Sequence, residues 1–334
     1  MKKLIAVLLA AVLAAGMVAC GSTATAGSAA PSGSTAAADT KTSYKIGIIQ
    51  LVQHDALDQA CKGFQDALTE AAKAKGVTVE FDVQNASGEQ STCATIATKF
   101  VNDKVDLILA IATPAAQAAA QASSTIPVLV TAVTDPESAG LVASNAAPGG
   151  NVSGTSDMNP VEKQAALLQT LVPNAKKVGI MYCSAEDNSV LQAELAKAAF
   201  EKLGMEVEIA TAADSNEIQA VTTKLCGTVD AIYIPTDNTF ASAMPTVTAV
   251  TNPAKMPVIC GEESMMLAGG LATYSINYYN LGKMTADMAA EILFDGADIA
   301  AMPIQYSEEA DLSVIINEET AAAIGVEIPA DLKK

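Results

Sequence analysis

The chain has 334 residues, of which 37 are acidic and 19 are basic, and its formal net charge at pH 7 is −18. Every basic residue is a lysine, because the chain contains no arginine. Proteins that bind nucleic acids need basic patches that displace counterions from the phosphates, so this acidic composition excludes that class of function.

Residues 1–19 have the pattern of an export signal. Two lysines precede an apolar run over residues 4–15, which is shorter than the roughly 20 apolar residues of a transmembrane helix and is typical of a signal peptide. A small residue and then Cys20 follow, a pattern that resembles the signal of bacterial lipoproteins, in which this cysteine is lipidated. A plain secretory peptide that is cleaved near Ala19 is the alternative. We therefore expect an extracytoplasmic protein that lipidated Cys20 anchors to the cell membrane.

Residues 20–43 are mostly Ser, Thr, Ala and Gly. Such a segment buries too little apolar surface to fold, so it is predicted to be a flexible linker. Ordered structure should begin at Tyr44. The remaining chain of about 290 residues is long enough for two domains.

The remainder of the chain is organised as two similar copies. A short apolar strand at residues 45–49 is echoed at residues 177–181, and each leads through a polar loop into a helix that ends at Gly76 or Gly204. Apolar residues recur along both helices at the spacing that places one face against a sheet. The other predicted strands are at residues 77–83, 105–109, 126–130, 205–210, 229–233 and 256–260. Strands that alternate with helices form parallel sheets, so two similar, doubly wound α/β lobes are expected.

Six cysteines are present. If Cys20 carries the lipid, five remain, so at least one other cysteine is unpaired. Cys61 lies on the first predicted helix and Cys93 on the second, and right-handed crossovers place these helices on opposite faces of their sheet. A disulfide between the two is therefore not expected.

The last part of the chain differs from both copies. A polar and aromatic stretch at residues 273–279 leads into a helix that ends at Gly296, and residues 304–332 have the pattern of a strand, a short helix and a turn. This tail is too short for a third lobe. We expect it to cross between the two lobes, where several crossing segments would form a hinge.

In open α/β sheets, ligands bind beyond the carboxyl ends of the strands, and two such edges that face each other form a cleft. Polar residues are concentrated after the predicted strands and at the start of the last long helix. The candidate ligand-binding residues are Gln50, His54, Thr113, Thr134, Asp135, Ser184, Asn188, Ser189, Thr236, Asp237, Gly261, Glu262, Asn277 and Tyr278. Several of them also suit the N-cap position of a helix, a role that needs no ligand. Both roles remain open for Thr113, Ser184, Asn188, Thr236 and Asp237.

The absence of arginine restricts the chemistry of the ligand. Many carboxylate sites use the two-pronged contact of a guanidinium group, which this chain cannot provide. A ligand carboxylate would instead contact hydroxyls and backbone N–H groups at helix N-termini, which carry partial positive charge. Asp135 or Asp237 would then meet an ammonium group. This pattern predicts a small zwitterionic ligand, for which several tyrosines could form an apolar wall.

Catalytic motifs are not found. His54 is the sole histidine, no Gly-x-Ser-x-Gly segment surrounds a serine, and no phosphate-binding glycine loop follows the first strand. The cysteine spacings fit no zinc template. The sequence therefore predicts a protein that is not an enzyme and that needs neither a metal nor a cofactor.

Several segments carry a family resemblance. Residues 47–50 are Gly-Ile-Ile-Gln and precede His54, while residues 134–136 are Thr-Asp-Pro and precede Ala-Gly-Leu-Val. Residues 274–282 and 316–329 add two longer motifs. Together they resemble the bacterial ABC transporter substrate-binding proteins of the tryptophan/tyrosine-type (TrpX-like) group, and the resemblance covers the chain from Tyr44 to its end.

The resemblance implies a type I periplasmic-binding fold, in which two lobes are joined by three crossings and close on a ligand. It implies a first lobe of residues 44–157 and 276–303 and a second lobe of residues 158–275 and 304–334. The group is associated with amino acids, especially aromatic ones, which a monomeric binding protein delivers to an ABC permease with its ATPase. A ligand-sensing module of the same fold, which reports to a membrane kinase or chemoreceptor, is the alternative.

Overall fold

The computed structural model describes residues 41–333. The predicted signal peptide, Cys20 and the predicted linker as far as Thr40 lie outside the described residues. The first strand begins at Ser43, one residue before the predicted start of order. None of the helices in residues 41–333 combines the length and the hydropathy of a membrane-spanning segment.

Twelve strands in the described chain form two six-stranded sheets. They are β1 (Ser43–Gln50), β2 (Thr78–Asn85), β3 (Leu107–Ile111), β4 (Val128–Val133), β5 (Val152–Ser156), β6 (Lys177–Cys183), β7 (Glu206–Ala212), β8 (Ala231–Ile234), β9 (Val258–Cys260), β10 (Ala272–Ser275), β11 (Gln305–Tyr306) and β12 (Ser313–Ile316). The strand order is β11-β5-β4-β3-β1-β2 in the first sheet and β12-β10-β9-β8-β6-β7 in the second. Neighbouring strands are parallel, except that β12 runs antiparallel to β10. The predicted class, two doubly wound parallel-sheet α/β lobes, is confirmed.

Eleven α-helices of the described chain connect and cover these strands. They are α1 (Asp55–Lys75), α2 (Gln90–Asn102), α3 (Thr113–Ala122), α4 (Val161–Leu171), α5 (Asp187–Lys202), α6 (Ile218–Cys226), α7 (Asn238–Ser242), α8 (Met244–Thr251), α9 (Glu263–Leu267), α10 (Tyr278–Asp295) and α11 (Glu318–Ile324). Gly76 and Gly296 end α1 and α10 in the left-handed conformation, with φ of 71° and 73°. Both helix ends agree with the sequence prediction.

The strands β5 and β10 were not predicted. All five residues of β5 are buried, yet its sequence is Val-Ser-Gly-Thr-Ser, which has the composition of a loop. The buried hydroxyls are satisfied by residues far away in the sequence: Ser153 donates to the carbonyl oxygen of Met302 at 2.7 Å, and Thr155 lies 2.8 Å from the hydroxyl of Thr285. Hydrophobic patterning does not detect a strand of this kind.

Helix α10 packs directly against α1 on one face of the first sheet. The contact is close because two glycines lie in it. A Cβ atom on Gly282 would overlap the carbonyl oxygen of Ala60, and one on Gly63 would overlap the carbonyl oxygen of Tyr279. The helix that follows the second sheet along the chain therefore belongs to the first lobe, as expected from the resemblance.

Helices α2 and α3 pack together on the opposite face of the first sheet from α1. Cys61 of α1 and Cys93 of α2 are accordingly unpaired, as predicted, and both are buried. The other cysteines of the described chain, Cys183, Cys226 and Cys260, are also free thiols.

Three segments pass between the sheets, after β5, after β10 and after β11. The third lies later than predicted. Residues 304–334 were assigned to the second lobe, but Gln305 and Tyr306 pair with Thr155 and Ser156 of β5 in the first sheet. The chain therefore crosses for the last time between β11 and β12.

Candidate functional site

The carboxyl ends of the two sheets face each other, and their loops are in contact across a cleft. Four side-chain hydrogen bonds link the lobes. They join His54 Nε2 to Asn238 Oδ1 at 3.3 Å, Gln90 Nε2 to the Ala185 carbonyl at 3.2 Å, Gln117 Nε2 to Asp187 Oδ2 at 2.9 Å, and Gln192 Nε2 to Thr134 Oγ1 at 3.1 Å. The two lobes are therefore in direct contact at the carboxyl edges of their sheets.

Three cavities lie between the lobes, and the one of about 190 Å³ is lined by residues that include Asp55, Gln59, Glu262, Asn277 and Tyr278. The other two lie close together. The larger, of about 470 Å³, is lined by residues that include Val52, Ser87, Pro114, Glu186 and Asn238. The smaller, of about 310 Å³, is lined by residues that include Thr113, Asp135, Asn188, Leu191 and Glu194. Because Thr113 and Pro114 begin α3 and Glu186 and Asn188 lie at the start of α5, the cavities flank the same two helix N-termini. Among the described residues, no lysine lines either cavity.

Thr113 begins α3 at the edge of the cavity of about 310 Å³. It is buried, and its hydroxyl has no hydrogen-bond partner in the described chain. The preceding residue, Ala112, has a φ of 83°, which a residue with a Cβ atom adopts only at a cost of about 1–3 kcal/mol. This strained turn directs the N-terminus of a ten-residue helix, with its partial positive charge, toward the cleft.

Two further side chains have a buried polar atom without a hydrogen-bond partner in the described chain. The oxygen Oδ1 of Asn188 is buried without a partner, while its amide nitrogen donates to the carbonyl oxygen of Thr236 at 3.0 Å. Atom Nδ1 of His54 is also buried without a partner. Buried polar atoms are nearly always paired, so unpaired atoms from both lobes indicate a place where another molecule binds.

The carboxylates predicted to meet an ammonium group have other partners. Asp237 is 1 % exposed and accepts hydrogen bonds from the backbone N–H groups of Phe240 at 2.8 Å and Cys183 at 2.6 Å. Burial raises the pKa of its carboxyl group, and the nearby Glu186 adds to this increase. Asp135 accepts from the backbone N–H groups of Glu137 and Ser138. Asp237 therefore has the capping role that the sequence left open, whereas Asp135 holds the turn that follows β4.

Glu262 and Asn277 are also helix caps. Glu262 accepts from the backbone N–H groups of Ser264 and Met265 at the start of α9, and it is 1 % exposed. Asn277 accepts from the N–H group of Asn280 at the start of α10 and is exposed. Gly261 lies so close to the backbone of Pro235 and Thr236 that a Cβ atom would not fit.

Three predicted residues support the cleft from behind. Gln50 is buried and donates to Asp58 Oδ1 at 2.6 Å, which holds the end of β1 to α1. Ser189 is fully buried next to Asn188, whose amide donates to its hydroxyl at 3.2 Å. The N–H group of Thr236 donates to Gln192 Oε1 at 3.3 Å.

Ser184 lies away from all three of these cavities. Its side chain is exposed, its hydroxyl lies 3.4 Å from the carbonyl oxygen of Ala212, and it lines none of them. The loop after β6 turns at Ser184 toward the end of β7, and the cleft is lined instead by the residues that follow it.

Comparison with known proteins identifies the family. The family model for ABC transporter substrate binding proteins matches residues 45–334. The chain belongs to this family. A curated relative, the tyrosine-binding protein of Clostridioides difficile (strain R20291), is 42% identical over 289 residues, which are 86% of this chain and 83% of the relative. The family and this relative are solute-binding proteins rather than enzymes, which confirms the prediction that the chain is not an enzyme.

Two solved structures are similar to this substrate-binding protein over nearly their whole length. A Streptococcus pneumonia ABC domain in complex with L-Trp is 40% identical, with a TM-score of 0.83, over 87% of this chain and 97% of that one. The ligand-free, open structure of a Clostridium difficile substrate binding protein with adhesive properties is 42% identical, with a TM-score of 0.65, over 86% and 97%. A leucine binding protein from Thermotoga maritima, 17% identical with a TM-score of 0.60, shares the type I periplasmic-binding fold.

Asp157 and Gln192 are two of the buried polar residues of this substrate-binding protein that were not among the predicted site residues. Asp157 directly follows β5 and accepts a hydrogen bond from the Tyr278 hydroxyl at 2.9 Å. Gln192 lies on α5 and joins Thr134 of the first lobe to Thr236 of the second. Since β5 was not predicted, Asp157 could not be placed at the sheet edge. Gln192 lies within a helix and carries no sequence signal at all.

Proposed function

We propose that this substrate-binding protein holds an aromatic L-amino acid between its lobes and that the closed cleft is its ligand-holding form. The observation that carries the proposal is that Thr113 and Asn188, which line one cavity from opposite lobes, each have a buried polar atom without a hydrogen-bond partner in the described chain. An amino acid carries donors and acceptors that would satisfy both. The two relatives named for tyrosine and L-Trp support an aromatic side chain.

The TM-scores support the assignment of the lobe arrangement. The complex with L-Trp and the open, ligand-free structure are 40% and 42% identical to this chain, but the TM-scores are 0.83 and 0.65. Since the identities are nearly equal, we attribute the difference to the angle between the lobes. The lobes of this chain are then arranged as in a complex.

The orientation of the ligand follows from the charges of the cleft. Its carboxylate would contact the Thr113 hydroxyl and the N-terminus of α3, because the chain has no arginine and no lysine lines the cavities of the described cleft. Its ammonium group would point toward the acidic side of the cleft. Asn188 Oδ1 is one acceptor for it.

Replacing Thr113 with valine tests this assignment. The change removes the hydroxyl and keeps the shape, so it should weaken binding of L-tyrosine or L-tryptophan by about 10-fold or more, the usual value of a hydrogen bond to a charged group. Isothermal titration calorimetry on both variants measures this. Thr98→Val, an exposed change on α2, is the matched control. Equal affinities for the wild type and Thr113→Val would contradict the proposed carboxylate site.

We further propose that the protein is an exported lipoprotein that delivers its ligand to an ABC permease with its ATPase. The export pattern of residues 1–19 and the family of the chain support this proposal. Cys20→Ser should abolish incorporation of labelled fatty acid and release the protein from the membrane fraction, while ligand affinity stays unchanged. A Cys20→Ser protein that remains in the membrane fraction would disprove the anchor.

A further inference from the structure

Asp157 is a buried acid with one oxygen unused. It is 2 % exposed, and it directly follows β5 at the carboxyl edge of the first sheet. Its Oδ2 accepts from the hydroxyl of Tyr278 at 2.9 Å, whereas Oδ1 is buried and has no partner in the described chain. A buried carboxylate oxygen without a hydrogen-bond donor is unfavourable, so its retention needs a reason.

No cation of the described chain compensates this charge. The groups that face Asp157 are Tyr278 from α10, Thr134 from the end of β4 and Glu262 from the second lobe. The pKa of Asp157 is raised to about 6, mainly by burial and in part by the carboxylate of Glu262, although the hydrogen bonds from Tyr278 and Thr134 oppose the increase. Within residues 41–333, no lysine forms an ion pair with Asp157 or Glu262. The cleft therefore has an unbalanced negative site.

Hydrogen bonds connect this acid to the ligand cleft. Thr134, which contacts Asp157, accepts from Gln192 at 3.1 Å, and the same amide group donates to the carbonyl oxygen of Asn188 at 3.3 Å. Asp135, the residue after Thr134, lines the cavity of about 310 Å³ together with Asn188. Asp157 thus lies directly behind Tyr278 and Glu262, which line the cavity of about 190 Å³, and next to the segments that cross between the lobes.

We propose that Asp157 binds the ammonium group of the ligand through its free oxygen and so makes the protein select amines over their deaminated analogues. The inference rests on the proposed function. A primary ammonium group has three N–H donors and one positive charge. These fit the unpaired oxygen of one buried carboxylate, Asp157, which lies near a second one, Glu262. Glu262 belongs to the second lobe, so closure brings its charge toward the same ammonium group, and ligand binding stabilises the closed form.

The test compares each amino acid with its deaminated analogue. Calorimetry would measure the affinities of wild type and Asp157→Asn for L-tyrosine, L-tryptophan, 3-(4-hydroxyphenyl)propanoate and indole-3-propanoate. The wild type should bind the better amino acid about 30-fold or more tightly than its analogue, because removing one partner of a buried charge pair has an effect of this size. In Asp157→Asn, the affinity for the amino acid should fall by a similar factor and the preference should disappear. Asp287→Asn, an exposed change on α10, is the control.

The outcomes separate the two proposals. An Asp157→Asn protein that is folded and keeps the wild-type preference for the amino acid would overturn the role of Asp157 but not the proposed function. A variant that binds both compounds more weakly by one common factor would also overturn it, since a structural role alone predicts that result. Wild-type protein that binds neither amino acid would overturn the proposed function and this inference together.

Discussion

Replacing Gly282 with valine should lower the free energy of unfolding by about 3 kcal/mol or more. A Cβ atom at this position would overlap the carbonyl oxygen of Ala60 and lie 2.9 Å from the backbone nitrogen of Phe64. Both atoms belong to the backbone of α1, so no side-chain rotation can relieve the overlap. The two helices must move apart, and the contacts beneath Leu281 and Phe64, both fully buried, are lost.

Urea unfolding of the purified chain without its signal segment measures this effect. Gly150→Val is the matched control, because nothing lies within 4 Å of a Cβ atom there and the backbone has no positive φ. We expect the control to change stability by less than about 0.5 kcal/mol. If both variants unfold at the same urea concentration, the close approach of α1 and α10 does not hold the crossing helix on the first lobe.

Replacing Asp157 with asparagine should stabilise the protein without its ligand at pH 7.5. The pKa of this carboxyl group is raised from 3.8 to about 6 in the folded protein. The folded state therefore favours the protonated acid, and stability is lost as the pH rises from about 4 through 6. The loss is about 3 kcal/mol above pH 6. The amide keeps the shape and can still accept from Tyr278, but it carries no charge.

The free energy of unfolding, measured between pH 4 and pH 8, tests this sign. The wild type should lose stability across this range relative to Asp157→Asn, and the two should converge near pH 4. Asp287→Asn should follow the wild type at every pH. If Asp157→Asn is less stable than the wild type at pH 7.5, the ionised carboxylate has a compensating partner and the charge argument fails. A gain in stability together with a loss of binding is typical of a functional site.

The two sheets and most of their strands could be predicted from the sequence. Strands such as Leu107–Ile111 are continuous apolar runs, because helices cover both faces of a parallel sheet and no side chain faces water. The glycines after α1 and α10 also determine where these helices end, since their left-handed conformation excludes most other residues. These signals are local and occur in both halves of the chain, so they can be recognised in the sequence alone.

The candidate site was predictable only as a set of loops. Thr113 and Ser184 both follow a buried strand and both suit a helix cap, yet Thr113 has an open hydroxyl in the cleft and Ser184 is exposed. Asp135 and Asp237 have a charge that suits an ammonium group, but their carboxylates accept hydrogen bonds from backbone N–H groups instead. The direction of a side chain in a loop depends on the turn that follows, and residue type alone does not specify that turn.

The sequence by itself determined the acidic composition, the lack of arginine, the two similar lobes and the strand ends at which the candidate site lies. These follow from residue counts and from hydrophobic periodicity. The periodicity is a local property that extends over only a few turns of chain. Only the tertiary structure decided that β5 is a strand, that the last crossing lies after Tyr306, and that Asp157 has an unused oxygen next to Glu262. The reason is that buried hydroxyls and carboxylates are satisfied, or left unsatisfied, by groups more than a hundred residues away, such as Thr285 for Thr155 and Tyr278 for Asp157.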